Sequence, residues 1–278
     1  MFVHMPFSTS LRIIVLALLP FVAACSSMSD DDLPDFEEEP VLKRSDQDTL
    51  NLPETNFYEL TVTGVEGRLV LRLYDETPMH RDNFKKLVRD GFYNGTIFHR
   101  VIEQFMIQGG DPNSQDSDPS NDGTGGPGYR LPAEFMPHLY HKRGALAAAR
   151  EGDVVNPQRH SSGSQFYIVQ GLKLDSLTLN QIEQEIRTAI SNPNFKFSTD
   201  ARQRYSTEGG APWLDQQYTV FGEVVEGFEF LDRLASVNTP RKVGQQAPAI
   251  YFDRPFNDLP MTLKPLPEYN AGTARTGF

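Results

Sequence analysis

Residues 98–111 read FHRVIEQFMIQGGD, a pattern that predicts a strand, a bend and a second strand. One guanidinium, Arg100, stands among apolar side chains. Gln108 follows, and Gly109 and Gly110 make a turn behind it. Successive side chains of a strand point to opposite faces. Pairing the two strands can therefore gather Arg100, Phe105, Met106 and Gln108 around one shallow pocket. The alternative is a half-buried strand pair whose arginine merely runs along apolar surface to reach water. The stretch alone leaves both readings open.

The flanks supply the frame. Tyr58, Leu60 and Val62 alternate with polar residues, and Leu69, Leu71 and Leu73 do so again. That predicts a hairpin turning at Glu66–Gly67, with one buried face. Thr77–Pro78 predicts a helix start, with a capping hydroxyl before a first-turn proline. Phe84, Leu87 and Val88 give that helix an apolar face, and Gly91 ends it. Strands are expected at 145–149, 165–169, 218–225 and 261–263, and a helix at 227–235. Leu179, Ile182, Ile186 and Ile190 recur at helical spacing within 172–210, which reads as a helical insertion, with a second short helix near 200–205.

The chain has 278 residues, 38% hydrophobic and 11% aromatic, enough for one sizeable core with extensions. Its formal net charge of -11 argues against nucleic acid as a main partner. Its one cysteine, Cys25, excludes an intramolecular disulfide. Arg12 precedes an apolar run over 13–24, too short to span a bilayer and laid out like a secretory signal. Val22-Ala23-Ala24-Cys25 resembles the lipobox of bacterial lipoproteins, which implies a signal peptide over 1–24 and acylation of Cys25. Ordinary cleavage after Ala24 is the alternative. Ser26, in place of aspartate, implies by the same resemblance sorting to the outer membrane, on its periplasmic face. Residues 25–56 are strongly acidic and bury too little to fold, so they read as a membrane tether. Residues 267–278 are expected to form a tail.

Other chemistries fit poorly. Gly123-Thr124-Gly125-Gly126 lacks the lysine and helix of a phosphate loop. Asp116, Asp118, Asn121 and Asp122 lack calcium-loop spacing. His138, His141 and His160 are scattered through loops and more simply solvated than metal-bound. Ser164 lies outside any nucleophile elbow. A glycine-rich surface loop beside a groove is the better account of 111–129.

Four further pieces join the arginine stretch in order: Leu146-Ala147-Ala148-Ala149-Arg150, Ser162-Gly163-Ser164-Gln165-Phe166-Tyr167-Ile168, Trp213-Leu214-Asp215, and Tyr218-Thr219-Val220-Phe221-Gly222-Glu223-Val224. Together they resemble the cyclophilins over about 57–263, interrupted by the insertion. The resemblance implies a mainly β fold: a closed eight-stranded antiparallel barrel with two capping helices, here carrying the helical insertion within a domain at 57–266. It implies peptidyl-prolyl cis–trans isomerase activity on proline-containing polypeptides. The family's pocket carries over to Arg100 as catalytic group, and to Phe105, Met106, Gln108, Ala149, Gln165, Tyr167 and Leu214. Arg150 stands where many members have asparagine, Tyr167 where phenylalanine is usual, and Tyr218 where eukaryotic members usually have histidine. Trp213 matches a tryptophan associated with binding of cyclosporin, through an apolar face and one N–H donor.

Residue types fit that chemistry. Peptide rotation faces a barrier of ~18–20 kcal/mol because resonance holds the bond planar. No bond breaks, so no nucleophile, metal or other cofactor is called for. An apolar socket would hold the proline ring while Arg100 donates to its carbonyl and favours the twisted amide. Two function classes follow: an envelope-anchored isomerase acting on secreted chains, and a non-catalytic proline-peptide binding module that kept the socket.

Overall fold

The computed structural model describes residues 40–43 and 53–269. The expected signal peptide, Cys25, most of the acidic tether and the last nine residues of the tail lie outside them.

Ten strands follow in chain order: β1 (Phe57–Val62), β2 (Val65–Leu73), β3 (Arg100–Ile102), β4 (Met106–Gly109), β5 (Arg130–Leu131), β6 (Ala145–Ala148), β7 (Ser161–Ser162), β8 (Phe166–Val169), β9 (Val220–Glu226) and β10 (Met261–Pro265). The helices are α1 (Pro78–Arg89), α2 (Ser176–Ala189), α3 (Thr199–Thr207), α4 (Phe228–Ala235) and α5 (Pro240–Val243). Eight strands form one antiparallel sheet in the order β10-β1-β2-β9-β6-β8-β4-β3, and β5 pairs with β7 beside it.

The sheet curves into a half-barrel rather than the closed barrel expected. Its end strands, β3 and β10, do not pair with each other. An isolated bridge joins Ile97 to Pro260, and the Val101 N–H donates to the Asp253 carbonyl at 2.8 Å. β3 is only three residues long, and Pro260 has no N–H to extend a ladder.

The first hairpin also turns elsewhere than predicted. Thr63 and Gly64 make the turn, with Gly64 at φ 79°. Gly67 lies inside β2, where an added Cβ would come within 2.9 Å of Phe230 on α4. That glycine serves close helix–sheet approach, not a turn.

Directly opposed residues share a face. Val101, Ile107, Ile168 and Leu146 form one row across β3, β4, β8 and β6 and enter the main core. Phe84, Leu87 and Val88 of α1, and Phe230, Leu231 and Leu234 of α4, pack on the same core. The neighbouring row, Arg100, Gln108, Tyr167 and Ala147, faces the other way. The sheet therefore separates the main core from a second face, which carries Arg100, Gln108 and Tyr167.

Helix α1 begins at Pro78 as expected, but Thr77 does not cap it; its hydroxyl is buried without a partner. Glu134 does so from a distant loop. Its two oxygens accept from the Met79 and His80 N–H groups at 3.1 and 3.0 Å, and His80 Nδ1 lies 2.7 Å from Oε2. Burial pulls the Glu134 carboxyl upward, but its contacts with His80 and Met79 hold it below the usual value.

Within 172–210, α2 and α3 start at side-chain caps from Asp175 and Ser198 and share a small core of Leu179, Ile182, Ile186, Phe197, Ala201 and Tyr205. Leu172 and Gly210 exchange backbone hydrogen bonds and pin the ends of this segment together. Of the acidic segment, residues 40–42 lie along β5: the Pro40 carbonyl accepts from Arg130 at 2.8 Å, and the Leu42 N–H donates back at 2.7 Å. Tyr269, in the expected tail, packs its ring 5.0 Å from Phe57. Among the described residues no helix is long and apolar enough to cross a membrane.

Candidate active site

The row on the second face sets the polar line of the site. Arg100 and Gln108 are direct cross-strand partners, and so are Gln108 and Tyr167. Arg100 donates from Nη1 to Gln108 Oε1 at 3.3 Å, and Gln108 donates from Nε2 to Gln165 Oε1 at 3.3 Å. Gln165 in turn donates to the carbonyls of Gly123 and Gly125 at 3.0 and 2.8 Å. The glycine-rich loop is thus an acceptor cradle that holds a glutamine. Gly125 has no room for a side chain, since a Cβ would sit 2.2 Å from Asp111 Oδ1.

The other end of the line is Asp253, whose Oδ2 accepts from Arg100 Nε at 3.3 Å while the carboxylate also pairs with Arg241. Asp253 carries no signal in the sequence. It lies 153 residues from Arg100 in a loop with no periodicity, so only folding brings the two together. Arg100 keeps about a third of its side chain exposed, so it is braced on one side and open on the other.

Phe105, Met106, Ala149, Tyr167 and Leu214 are buried in one apolar cluster, with Trp213, Tyr218 and Ile102 packed at its margin. Of the residues expected in the pocket, seven share this cluster, beside the hydrogen-bonded Arg100, Gln108 and Gln165. Phe105 and Trp213 meet at 5.5 Å between ring centres, and Tyr167 and Tyr218 pack edge to face at 6.0 Å. The Arg150 side chain is buried. It donates to the Gln217 and Glu151 carbonyls, both at 2.8 Å, and pairs with Asp153 at 2.6 Å. The indole N–H of Trp213 is buried without a partner, so it is not presented to the groove as the sequence reading expected.

Below the socket runs a second polar line. The Tyr167 hydroxyl lies 2.9 Å from His141 Nε2. His141 Nδ1 lies 2.8 Å from Asp215 Oδ1, and the Tyr205 hydroxyl donates to Asp215 Oδ2 at 2.6 Å. All four residues are buried. Burial pushes both tyrosine hydroxyls well above their ordinary values, which keeps them protonated donors. His141 was expected to be solvated and is instead sealed, with both ring nitrogens engaged. Its sequence context, a polar loop, gave no sign of that. His99 is buried beside Arg100, Asp122 and Arg254, and burial pushes its ring down to about 4. Among the described residues no group of three or more histidine, cysteine, aspartate or glutamate side chains could hold a metal ion.

This apolar cluster, with one braced guanidinium and two amides at its edge, has the chemistry to pack against a small ring and hydrogen-bond the backbone around it. Residues 57–251 match the family model described as cyclophilin type peptidyl-prolyl cis-trans isomerase/CLD. Two curated relatives carry the name "Putative peptidyl-prolyl cis-trans isomerase". The one from Staphylococcus saprophyticus is 32% identical over 220 residues, covering 74% of this chain and 95% of the relative. The one from Staphylococcus aureus is 33% identical over 199 residues, covering 70% and 84%. The chain belongs to the cyclophilin-type peptidyl-prolyl cis–trans isomerase family. In fold it is similar to the crystal structure of a cyclophilin type isomerase from Cryptosporidium parvum, with a TM-score of 0.51 at 23% identity, covering 76% of this chain and 99% of that one. A second structure of that protein, in the presence of the dipeptide Ala-Pro, matches at 0.50 and 22%.

Proposed function

We propose that this protein catalyses cis–trans exchange at Xaa–Pro bonds in secreted or envelope polypeptides, held by an acylated Cys25 at the periplasmic face of the outer membrane. The observation that carries the catalytic part is the line Arg100–Gln108–Gln165 along the rim of the socket of Phe105, Met106, Tyr167 and Leu214.

The proline ring occupies the socket. Arg100 donates to the proline carbonyl and stabilises the nitrogen lone pair freed when the amide twists out of resonance. Gln108 and Gln165 fix the backbone on either side. Because Asp253 and Gln108 already hold the guanidinium, little reorganisation is needed as the bond rotates. The twist, more than either planar form, gains from this arrangement. The similarity to a cyclophilin crystallised with Ala-Pro supports a proline-containing ligand.

The test is a peptide isomerisation assay on the purified domain, without added metal or nucleotide, over several Xaa–Pro peptides. Acceleration above the thermal rate is expected. Peptide binding with no acceleration would instead make the chain a proline-peptide binding module.

A further inference from the structure

The segment 172–210 reaches the proline socket through one hydrogen-bonded path. Tyr205 sits on α3 in that segment. Its hydroxyl donates to Asp215 Oδ2 at 2.6 Å. The other oxygen, Oδ1, accepts from the His141 backbone N–H at 2.9 Å and lies 2.8 Å from Nδ1. With Nδ1–H donating to the carboxylate, Nε2 is the ring nitrogen left for the Tyr167 hydroxyl, which lies on it at 2.9 Å. Asp215 directly follows the turn Pro212–Leu214, so the path also abuts Trp213 and Leu214.

We propose that Tyr205 is a positioning residue for the proline socket, acting through Asp215 and His141 on the hydroxyl of Tyr167. The proposal rests on the isomerase reading above. Three observations support it. The path is continuous and uses both carboxylate oxygens and both ring nitrogens. Every side chain on it is buried, so no bulk water can replace a lost partner. The anchorage of Tyr205 is itself fixed: its backbone carbonyl accepts from Leu174 at 3.0 Å, and the Ala211 N–H donates to the His141 carbonyl at 2.8 Å.

Apolar packing alone leaves the Tyr167 ring free to slide against Tyr218 and Leu214. The hydroxyl bond to His141 sets how far the ring enters the socket, and Tyr205 fixes the carboxylate that orients His141. Without the Tyr205 hydroxyl, Asp215 Oδ2 is a buried acceptor without its donor. The carboxylate then turns, the imidazole follows, and the socket floor shifts.

The experiment is a double-mutant cycle on the full chain with Tyr205→Phe, Tyr167→Phe and both together. Each change keeps the ring and removes one hydroxyl. Tyr205→Phe is expected to lower kcat/KM about tenfold when Tyr167 is intact, and less than about twofold in the Tyr167→Phe background. An equal factor in both backgrounds, or no loss with Tyr167 intact, overturns the proposal. A second measurement needs no variant: 15N NMR of the native protein at neutral pH should show His141 protonated on Nδ1. A bare Nδ1 has no proton to give Asp215, breaks the path and overturns the proposal even if the variants fail to fold. Native protein that accelerates no peptide refutes the isomerase reading itself. Active native protein with an additive cycle refutes only the role of Tyr205.

Discussion

The guanidinium of Arg150 lies 4.4 Å over the ring of Tyr218. These are two of the positions at which the chain departs from the usual cyclophilin pattern, and they depart together. An arginine on a tyrosine face gains a cation–π contact that the usual asparagine and histidine cannot make. With its Nε and Nη1 also bound to backbone carbonyls, Arg150 clamps Tyr218 against Tyr167 and stiffens that side of the socket.

Arg100→Ala should lower kcat/KM by ~10²–10³, or about 3–4 kcal/mol of transition-state stabilisation, with the fold intact by circular dichroism. Gln108 is only half-buried and the buried Asp253 keeps its pair with Arg241, so stability should fall little. A near-native rate in the folded variant would show that another group stabilises the twisted amide.

His99 predicts a pH dependence of stability. Above its unfolded value of 6.5 the ring is neutral in both states. As the pH falls toward about 4, the unfolded chain takes up a proton that the folded chain refuses. Stability is therefore lost across that window, by about 3 kcal/mol for the full shift. Asp122, Arg100 and Arg254 face the ring, but burial is the larger cause of the shift. Denaturant unfolding of the native protein and of His99→Phe between pH 7.5 and 4 measures the difference. Parallel stability curves for the two proteins would remove His99 as the cause.

Cyclosporin should inhibit weakly. The Trp213 N–H that was expected to meet a ligand carbonyl is covered, while the indole still borders Phe105 at the socket margin. Titration with the drug should change the emission of the chain's one tryptophan and slow the reaction only at high concentration. No change in either signal at saturation means that Trp213 does not line the drug's site. Tight inhibition means that the indole turns to offer its N–H.

Cys25→Ser should abolish acylation and release the protein from the membrane fraction, or leave an unprocessed precursor. Mass spectrometry of the native mature protein gives the direct answer, since an unmodified Cys25 would refute the anchor.

Much of this was legible in the sequence because it rests on local pattern. Period-two alternation located β1 and β2, the arginine stretch gave β3 and β4, strand-forming composition gave β8 and β9, and the pocket residues fall on one face because directly opposed residues share it. What sequence could not show depends on pairs far apart in the chain. Glu134 caps α1 from 55 residues away, displacing the adjacent Thr77. Asp253 braces Arg100, and Asp215 seals His141 from 74 residues away. A carboxylate in a loop carries no periodic signal, so its partner is known only once the backbone is placed. The closed barrel failed for a similar reason, because the ends of the sheet meet through loop segments and a proline.

The strand-like seating of residues 40–42 on β5 shortens the leash. Measured from Cys25 to β1, the chain could pay out thirty-two residues, about 110 Å when fully extended. With Pro40 held by Arg130, only the fourteen residues 26–39 separate Cys25 from the folded body, a reach of about 50 Å. If Cys25 carries the proposed lipid, so short a line would confine the socket to a thin layer at the bilayer surface, where an anchored isomerase would meet chains as they arrive rather than across a wider space.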